Sequence, residues 1–488
     1  MISIHAKKHD NFSVEFKFGF NCHEDGLTDK FSVNSWIFVP NSLDINPENY
    51  GKKQFYRDIK SNVRLITPVY LLREIADESS LPFTSLKKAL LSVVSSPSQE
   101  ETDSYEYHLK MFAAIFKSAV REQVKYLRNA RTLASSSYLV EDYVADSRVI
   151  LSKFRALYMI IDVPTVDDKI RSHFRLCDEF ISHVVSYQTI RLLKSMERYE
   201  LTPSIECNRQ ALIDLVVQER DYKQQQDYAV VTDDMKRNKM LVYHRGMMKK
   251  YIESDLYIRL HKKKDGVAVE HLYYSIAAGV AMIFATAVAW FTQVKYGNIT
   301  WPLFIALVVS YMLKDRIKEL MRYYFAHKLG NKYYDKKANI TIGDKKVGLI
   351  KEGFDFISEE KAPSKVVHLR EVATPMVDET RIFEEKIMLY RKNVTIDDKA
   401  LSENGEYPVK GINEIMRLHL NRFTQKMDNP EIPVEKINED GSVSTILVPK
   451  IYYVNIVFQL KHDEESTEYH HFRIEMTRDG VSNIEKLL

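Results

Sequence analysis

One stretch constrains this chain more than any other. Residues 273–294 contain no Asp, Glu, Lys, Arg or His. As a helix these 22 residues rise about 33 Å, enough to cross a hydrocarbon core of about 30 Å. Lys295 interrupts the run, and residues 296–313 are again uncharged. Trp290, Tyr296 and Trp301 cluster around the connection, where the aromatic belt of a membrane interface would sit. The pattern predicts a two-helix transmembrane hairpin with spans at 273–294 and 296–313.

The flanks predict its orientation. Lys262, Lys263 and Lys264 precede the first run, and Lys314, Arg316, Lys318 and Arg322 follow the second, whereas the connection holds only Lys295. Basic residues stay on the cytosolic side and attract anionic lipid, so both termini are expected in the cytosol. The start of the chain alternates rather than running apolar, so no signal peptide is expected. Three cysteines at long spacings provide no disulfide framework and fit a reducing compartment. The expected location is a bacterial inner membrane.

The rest of the chain reads as two kinds of structure. Phe12, Val14, Phe16, Phe18 and Phe20 alternate with polar residues, and residues 31–39 form a second apolar run. Period two marks half-buried strands, and Asp25-Gly26 between them predicts an N-terminal β-hairpin. Thr67-Pro68 is a helix-start signal. From 105 to about 265, apolar residues recur at three and four, as in Met111, Phe112, Ile115, Phe116 and Ala119; such stripes predict a helical bundle. Beyond the spans, strands are expected at 339–342, 346–350, 365–370, 387–390, 451–460 and 469–477, with a helix over 411–427. The predicted fold is therefore a multi-domain membrane protein: an N-terminal β-rich region (1–66), a cytosolic helical domain (67–270), the hairpin with a membrane-proximal helix (271–327) and a C-terminal α+β domain (328–488).

Several patterns bear on function. Ala277, Ala281, Ala285 and Ala289 recur every four residues, and Ala306 and Ser310 repeat the spacing in the second run. Small residues at that interval let helices pack closely, either within the hairpin or between copies of the chain. The spans hold no ionisable residue, which a transport pathway normally needs. Arginine is abundant in the bundle, and Arg121 with Arg128, and Arg191 with Arg198, are seven apart and so share helix faces. Arginine binds phosphate bidentately, which makes these four candidates for an anionic ligand. The acidic doublets Glu359-Glu360, Glu384-Glu385 and Asp397-Asp398 could hold a metal for hydrolysis. His470-His471, near His462 and Asp463, could supply metal ligands, but neighbours on a strand point to opposite faces, so no metal centre and no cofactor are expected.

No phosphate-binding loop, dinucleotide fingerprint, zincin motif or nucleophile elbow occurs. A net charge of +3 excludes a uniformly basic nucleic-acid binder. The expected function is a membrane-anchored scaffold, sensor or regulator that recruits a cytosolic protein. One alternative is an effector that oligomerises through the first membrane helix and perturbs the bilayer, as in phage defence. The other is a membrane-anchored metal-dependent hydrolase or nuclease.

Overall fold

Alternating apolar residues near the N-terminus form three strands, β1 (Ile2–Asp10), β2 (Ser13–Asn21) and β3 (Thr28–Pro40). The computed structural model describes residues 2–23, 26–128, 137–164, 166–197, 203–297, 300–330, 334–343, 345–372, 385–403, 405–463 and 466–488. The chain divides into two units: one joins residues 1–63, 259–404 and 411–488, the other residues 64–258 and 405–410.

The further strands are β4 (Ile59–Leu65), the two-residue β5 (Tyr257–Ile258), β6 (His261–Lys264), β7 (Lys336–Ile342), β8 (Lys345–Ile357), β9 (Glu385–Asp397), β10 (Gly411–His419), β11 (Glu431–Ile437), β12 (Val443–Pro449), β13 (Tyr452–His462), β14 (Ser466–Thr477) and β15 (Gly480–Lys486). In the first unit one sheet runs β1-β2-β10-β4, an eight-stranded sheet runs β15-β14-β13-β3-β9-β8-β7-β6, and β11 and β12 form a separate ribbon. The inward aromatic residues of β2 join the two large sheets. Phe16 and Phe18 meet Phe458 of β13 edge-on, with centroids 5.0 and 5.6 Å apart, and Phe20 meets Phe31 of β3 at 5.3 Å. Such pairs add to the gain from burial itself.

These pairings correct the expected fold class. The N-terminal strands form no hairpin of β2 with β3: β2 pairs with β1 and β10, and β3 lies between β13 and β9, with Trp36 opposite Val457 on one side and Leu389 on the other. Strands from both ends of the chain thus build the same sheets. The expected helix over 411–427 is β10 followed by a short helix, Asn421–Thr424. Ile412, Glu414, Met416 and Leu418 point inward; the charge at Glu414 hides the alternation. The expected strand over 365–370 is the helix Ser364–Val372, whose Val366 packs against Trp36, Phe38, Ile387 and Val457.

The two-helix transmembrane hairpin is corrected as well. Val267–Tyr296 and Trp301–Gly330 are both helices. Among the described residues only the first, over Val269–Lys295, is long and apolar enough to cross a membrane, with mean hydropathy 1.8. The second meets Lys314, Asp315 and Arg316 after 13 residues, about 20 Å of helix, well short of a hydrocarbon core of about 30 Å. It continues unbroken through these charges to Gly330. The helical pair is an insertion between β6 and β7, which are antiparallel partners with Lys264 opposite Lys336.

The second unit is helical, with Leu81–Ser95, Gln99–Leu127, Ser137–Ala156, Asp168–Met196, Pro203–Gln225 and Met235–Ile252 as its main elements. Phe112, Phe154 and Phe174 stack in sequence at 5.3 and 4.6 Å in its core. Ser98 caps the helix Gln99–Leu127 by accepting the Glu101 N–H at 3.2 Å. Thr67-Pro68 does not open a helix; the next helix begins at Leu72.

Candidate functional site

The helical pair packs through the expected small residues. Ala277 and Ala281 are 0% and 1% exposed, Ala285, Ala289 and Ala306 are half-buried, and the buried Ser310 places its Oγ 3.4 Å from the Ala285 carbonyl. The large apolar side chains around this seam are left outward. Trp290, Phe291 and Trp301 are 68%, 73% and 78% exposed. Gly297, at φ +74°, makes the turn that ends the first helix, a conformation suited to glycine.

The basic residues expected at a lipid surface have mixed roles. Lys262 is bidentate on Glu352 at 2.9 Å, Lys264 pairs with Glu270 at 2.6 Å, and Arg316 pairs with Glu319 at 3.4 Å. Lys314 and Arg322 lie over the rings of Tyr311 and Tyr274. Lys263 is exposed and Lys318 half-buried. Glu352 belongs to a buried charge ladder that spans the two large sheets: Lys392 of β9 contacts both Glu352 of β8, at 3.3 Å, and Glu414 of β10, and Ser61 of β4 donates to Glu414. Burial would raise the Glu352 carboxyl, but Lys392 and Lys262 outweigh it and hold it down to about 2. The ladder balances its own charges, as buried ions require.

Arg121 donates to Glu122 at 2.9 Å, Arg191 donates to Gln188 at 3.4 Å, Arg128 is exposed, and Arg198 lies outside the described residues. Arg155 makes two bonds to Glu219, at 3.0 and 2.7 Å, and one to Asp178, at 3.1 Å; this is a buried structural clamp. Arg175 lines a cleft of about 900 Å³ in the helical unit, with Glu179, Tyr228, Lys236, Arg237 and His244 around it.

Among the described residues the acidic doublets are not gathered. Glu359 and Glu360 are exposed on a short helical turn, Asp397 caps the Ala400 N–H, Asp398 accepts the Gly26 N–H, and Glu384 lies outside the described residues. His470 and His471 are likewise separate: His470 is 3.5 Å from Glu468, and His471 Nε2 is 3.1 Å from Asn455.

His462 and Asp463 instead meet two residues that spacing did not single out, His23 and Asp29. Asp29 opens β3 and is 2% exposed; His462 closes β13 and is 4% exposed. β3 and β13 pair with Phe31 opposite His462, which brings positions 433 apart to hydrogen-bond distance. One oxygen of Asp29 lies 2.7 Å from both His23 Nδ1 and His462 Nε2. The imidazoles stack with centroids 4.0 Å apart, and Phe31 covers the other face of His462 at 4.4 Å. These bonds hold the Asp29 carboxyl below its usual range despite its burial. Beside them the Cys22 thiol is pushed up by burial and by Asp29. A histidine and an aspartate at strand ends carry no local signal; only knowledge of the β3–β13 register would have paired them. The chain matches no known family model, no curated protein and no solved structure.

Proposed function

We propose that this protein is a binding or regulatory module held at an anionic lipid bilayer from one side. The observation that carries the reading is the apolar surface that Val267–Tyr296 and the start of Trp301–Gly330 leave uncovered, with Trp290, Phe291 and Trp301 exposed near its tip. A helix apolar all round is stable only in an apolar surrounding, and a patch of this kind marks an interaction surface. Because β6 and β7 pair at the base of the insertion, and strands from both chain ends share the sheets, the folded parts of this unit belong on the same side of any bilayer. Lys314, Arg316, Lys318 and Arg322 follow the apolar segment, where anionic headgroups would add about 1 kcal/mol per basic residue. The small-residue seam favours tethering over oligomerisation through that seam, since Ala277 and Ala281 are already covered within the chain.

Flotation of the full chain with phosphatidylcholine vesicles, with and without phosphatidylglycerol, tests this. The protein is expected to float with the vesicles, more strongly with phosphatidylglycerol. The double variant Trp290→Glu, Trp301→Glu should keep its circular dichroism spectrum and lose at least about tenfold in vesicle affinity, since inserting a carboxylate costs more than the 1.4 kcal/mol that tenfold represents. Wild-type protein left at the bottom of the gradient, or undiminished flotation of the variant, overturns the reading.

A further inference from the structure

We propose that His23, Asp29, His462 and Asp463 form a binding site for a divalent first-row transition-metal ion, Zn²⁺ foremost. The proposal is independent of bilayer attachment. Each residue offers one ligand atom, and all four atoms lie within 4.8 Å of one another. Ligands at about 2.0–2.2 Å from a zinc ion are at most about 4.4 Å apart, so small side-chain shifts close the set around one ion.

The donor chemistry selects the ion. Two imidazole nitrogens with two carboxylate oxygens suit Zn²⁺ and its neighbours, whereas Ca²⁺ and Mg²⁺ take oxygen ligands. The two imidazoles already aim their nitrogens at the same Asp29 oxygen, each at 2.7 Å. An ion seated there takes the place of the two N–H protons, and each imidazole then carries its proton on the other ring nitrogen.

The fourth ligand is held by backbone geometry. Asp463 has φ +47°, a region uncommon for any residue but glycine. Its N–H donates to the Lys30 carbonyl at 2.8 Å, and its Oδ1 accepts the Lys30 N–H at 3.0 Å. The other oxygen is thereby turned toward His462, at 3.4 Å, and His23, at 4.0 Å. The buried pair Asp29 and His462 forms the floor, and His23, with its side chain 41% exposed, opens the site to solvent. A bound ion would tie the segment after β2 and the start of β3 to the end of β13.

The test uses the full chain, stripped with EDTA, dialysed and titrated with Zn²⁺ by calorimetry, with bound metal counted by mass spectrometry. The expected result is one saturable Zn²⁺ per chain and a higher Tm with the ion. His23→Ala and Asp463→Asn, at exposed positions that leave the core intact, should weaken Zn²⁺ by at least about tenfold. Asp29→Asn should abolish the saturable site, and His470→Ala on the adjacent strand should leave it unchanged. If Asp29→Asn fails to fold, His23→Ala and Asp463→Asn still decide. Wild-type protein with no saturable uptake, Zn²⁺ affinity unchanged in both exposed-site variants, or Mg²⁺ displacing Zn²⁺ at equal concentration would each overturn the proposal.

Discussion

The helices Gln99–Leu127 and Val267–Tyr296 are nearly equal in length, at 29 and 30 residues, yet stand in opposite surroundings. The first carries a stripe of large apolar residues, with Tyr105, Leu109, Phe112 and Phe116 fully buried, and its middle, residues 111–116, is buried on every side. Its Glu100, Glu101, Lys110 and Arg121 stay off that stripe. The second is apolar all round over residues 273–294, where its best-covered side chains are the small Ala277 and Ala281. An apolar surface needs apolar cover on every side it occupies; residues 111–116 of the first helix find that cover within the chain, whereas the large side chains of the second stay exposed. The contrast teaches that hydrophobicity alone does not place a helix in a core: the cover that neighbouring elements supply decides.

The largest expected effect sharpens that contrast directly. Phe112→Ala should destabilise the helical unit by about 3–5 kcal/mol, whereas Phe291→Ala, made at an exposed position, should change stability by less than about 0.5 kcal/mol. Urea denaturation of both variants measures it; equal losses would erase the distinction.

Charge obeys the same logic. The uncharged run avoids ions, while the sheet core admits Lys392, Glu352 and Glu414 because they pair. Lys392→Met removes the cation beside the buried Glu414 carboxylate and leaves Glu352 to Lys262, and should cost about 3–5 kcal/mol at neutral pH. Glu352 lies at about 2 in the folded protein against a reference of 4.5. Its stabilisation is therefore complete above about pH 5 and is lost as pH falls from there toward 2. Denaturation midpoints at pH 7, 4 and 2.5 should decline in that window, and less steeply in Lys392→Met. An identical pH profile for the two proteins would show that the ladder does not act as described.

The smallest effect probes the seam of the helical pair. Ala281→Leu overpacks a closed contact and should cost about 1–3 kcal/mol, while Ala278→Leu, on the exposed side of the same helix, should stay within about 0.5 kcal/mol. Hydrogen exchange over the amides of Val267–Tyr296 separates the two; equal protection would mean that the helices are not packed through Ala281.

What could be read in advance followed from local repetition. Phe472, Ile474 and Met476 alternate, and β14 buries all three. The three-four stripe from Met111 to Ala119 lies on a buried helix face. Two of the misreadings share one cause, a contact made far along the chain. Glu414 occupies an inward position of β10 because Lys392 and Ser61 meet it there, and with Glu414 set aside Ile412, Ile415 and Met416 mimic helical spacing. Residues 365–370 contain Val366, Val367 and Leu369, which fit a strand by composition, but Val366 docks as part of a helix onto strands β3, β9 and β13.

Helical periodicity repeats within four residues, so the order of residues along the chain was enough to mark the uncharged helix at 273–294 and the striped helices of the bundle. Strand partners obey no such range. Which edge β3 joins depends on which buried faces fit one another across the folded unit. That choice set β3 between β13 and β9 and drew both chain ends into the same sheets. It also carried His23 and Asp29 to His462 and Asp463, a meeting that no spacing along the chain encodes.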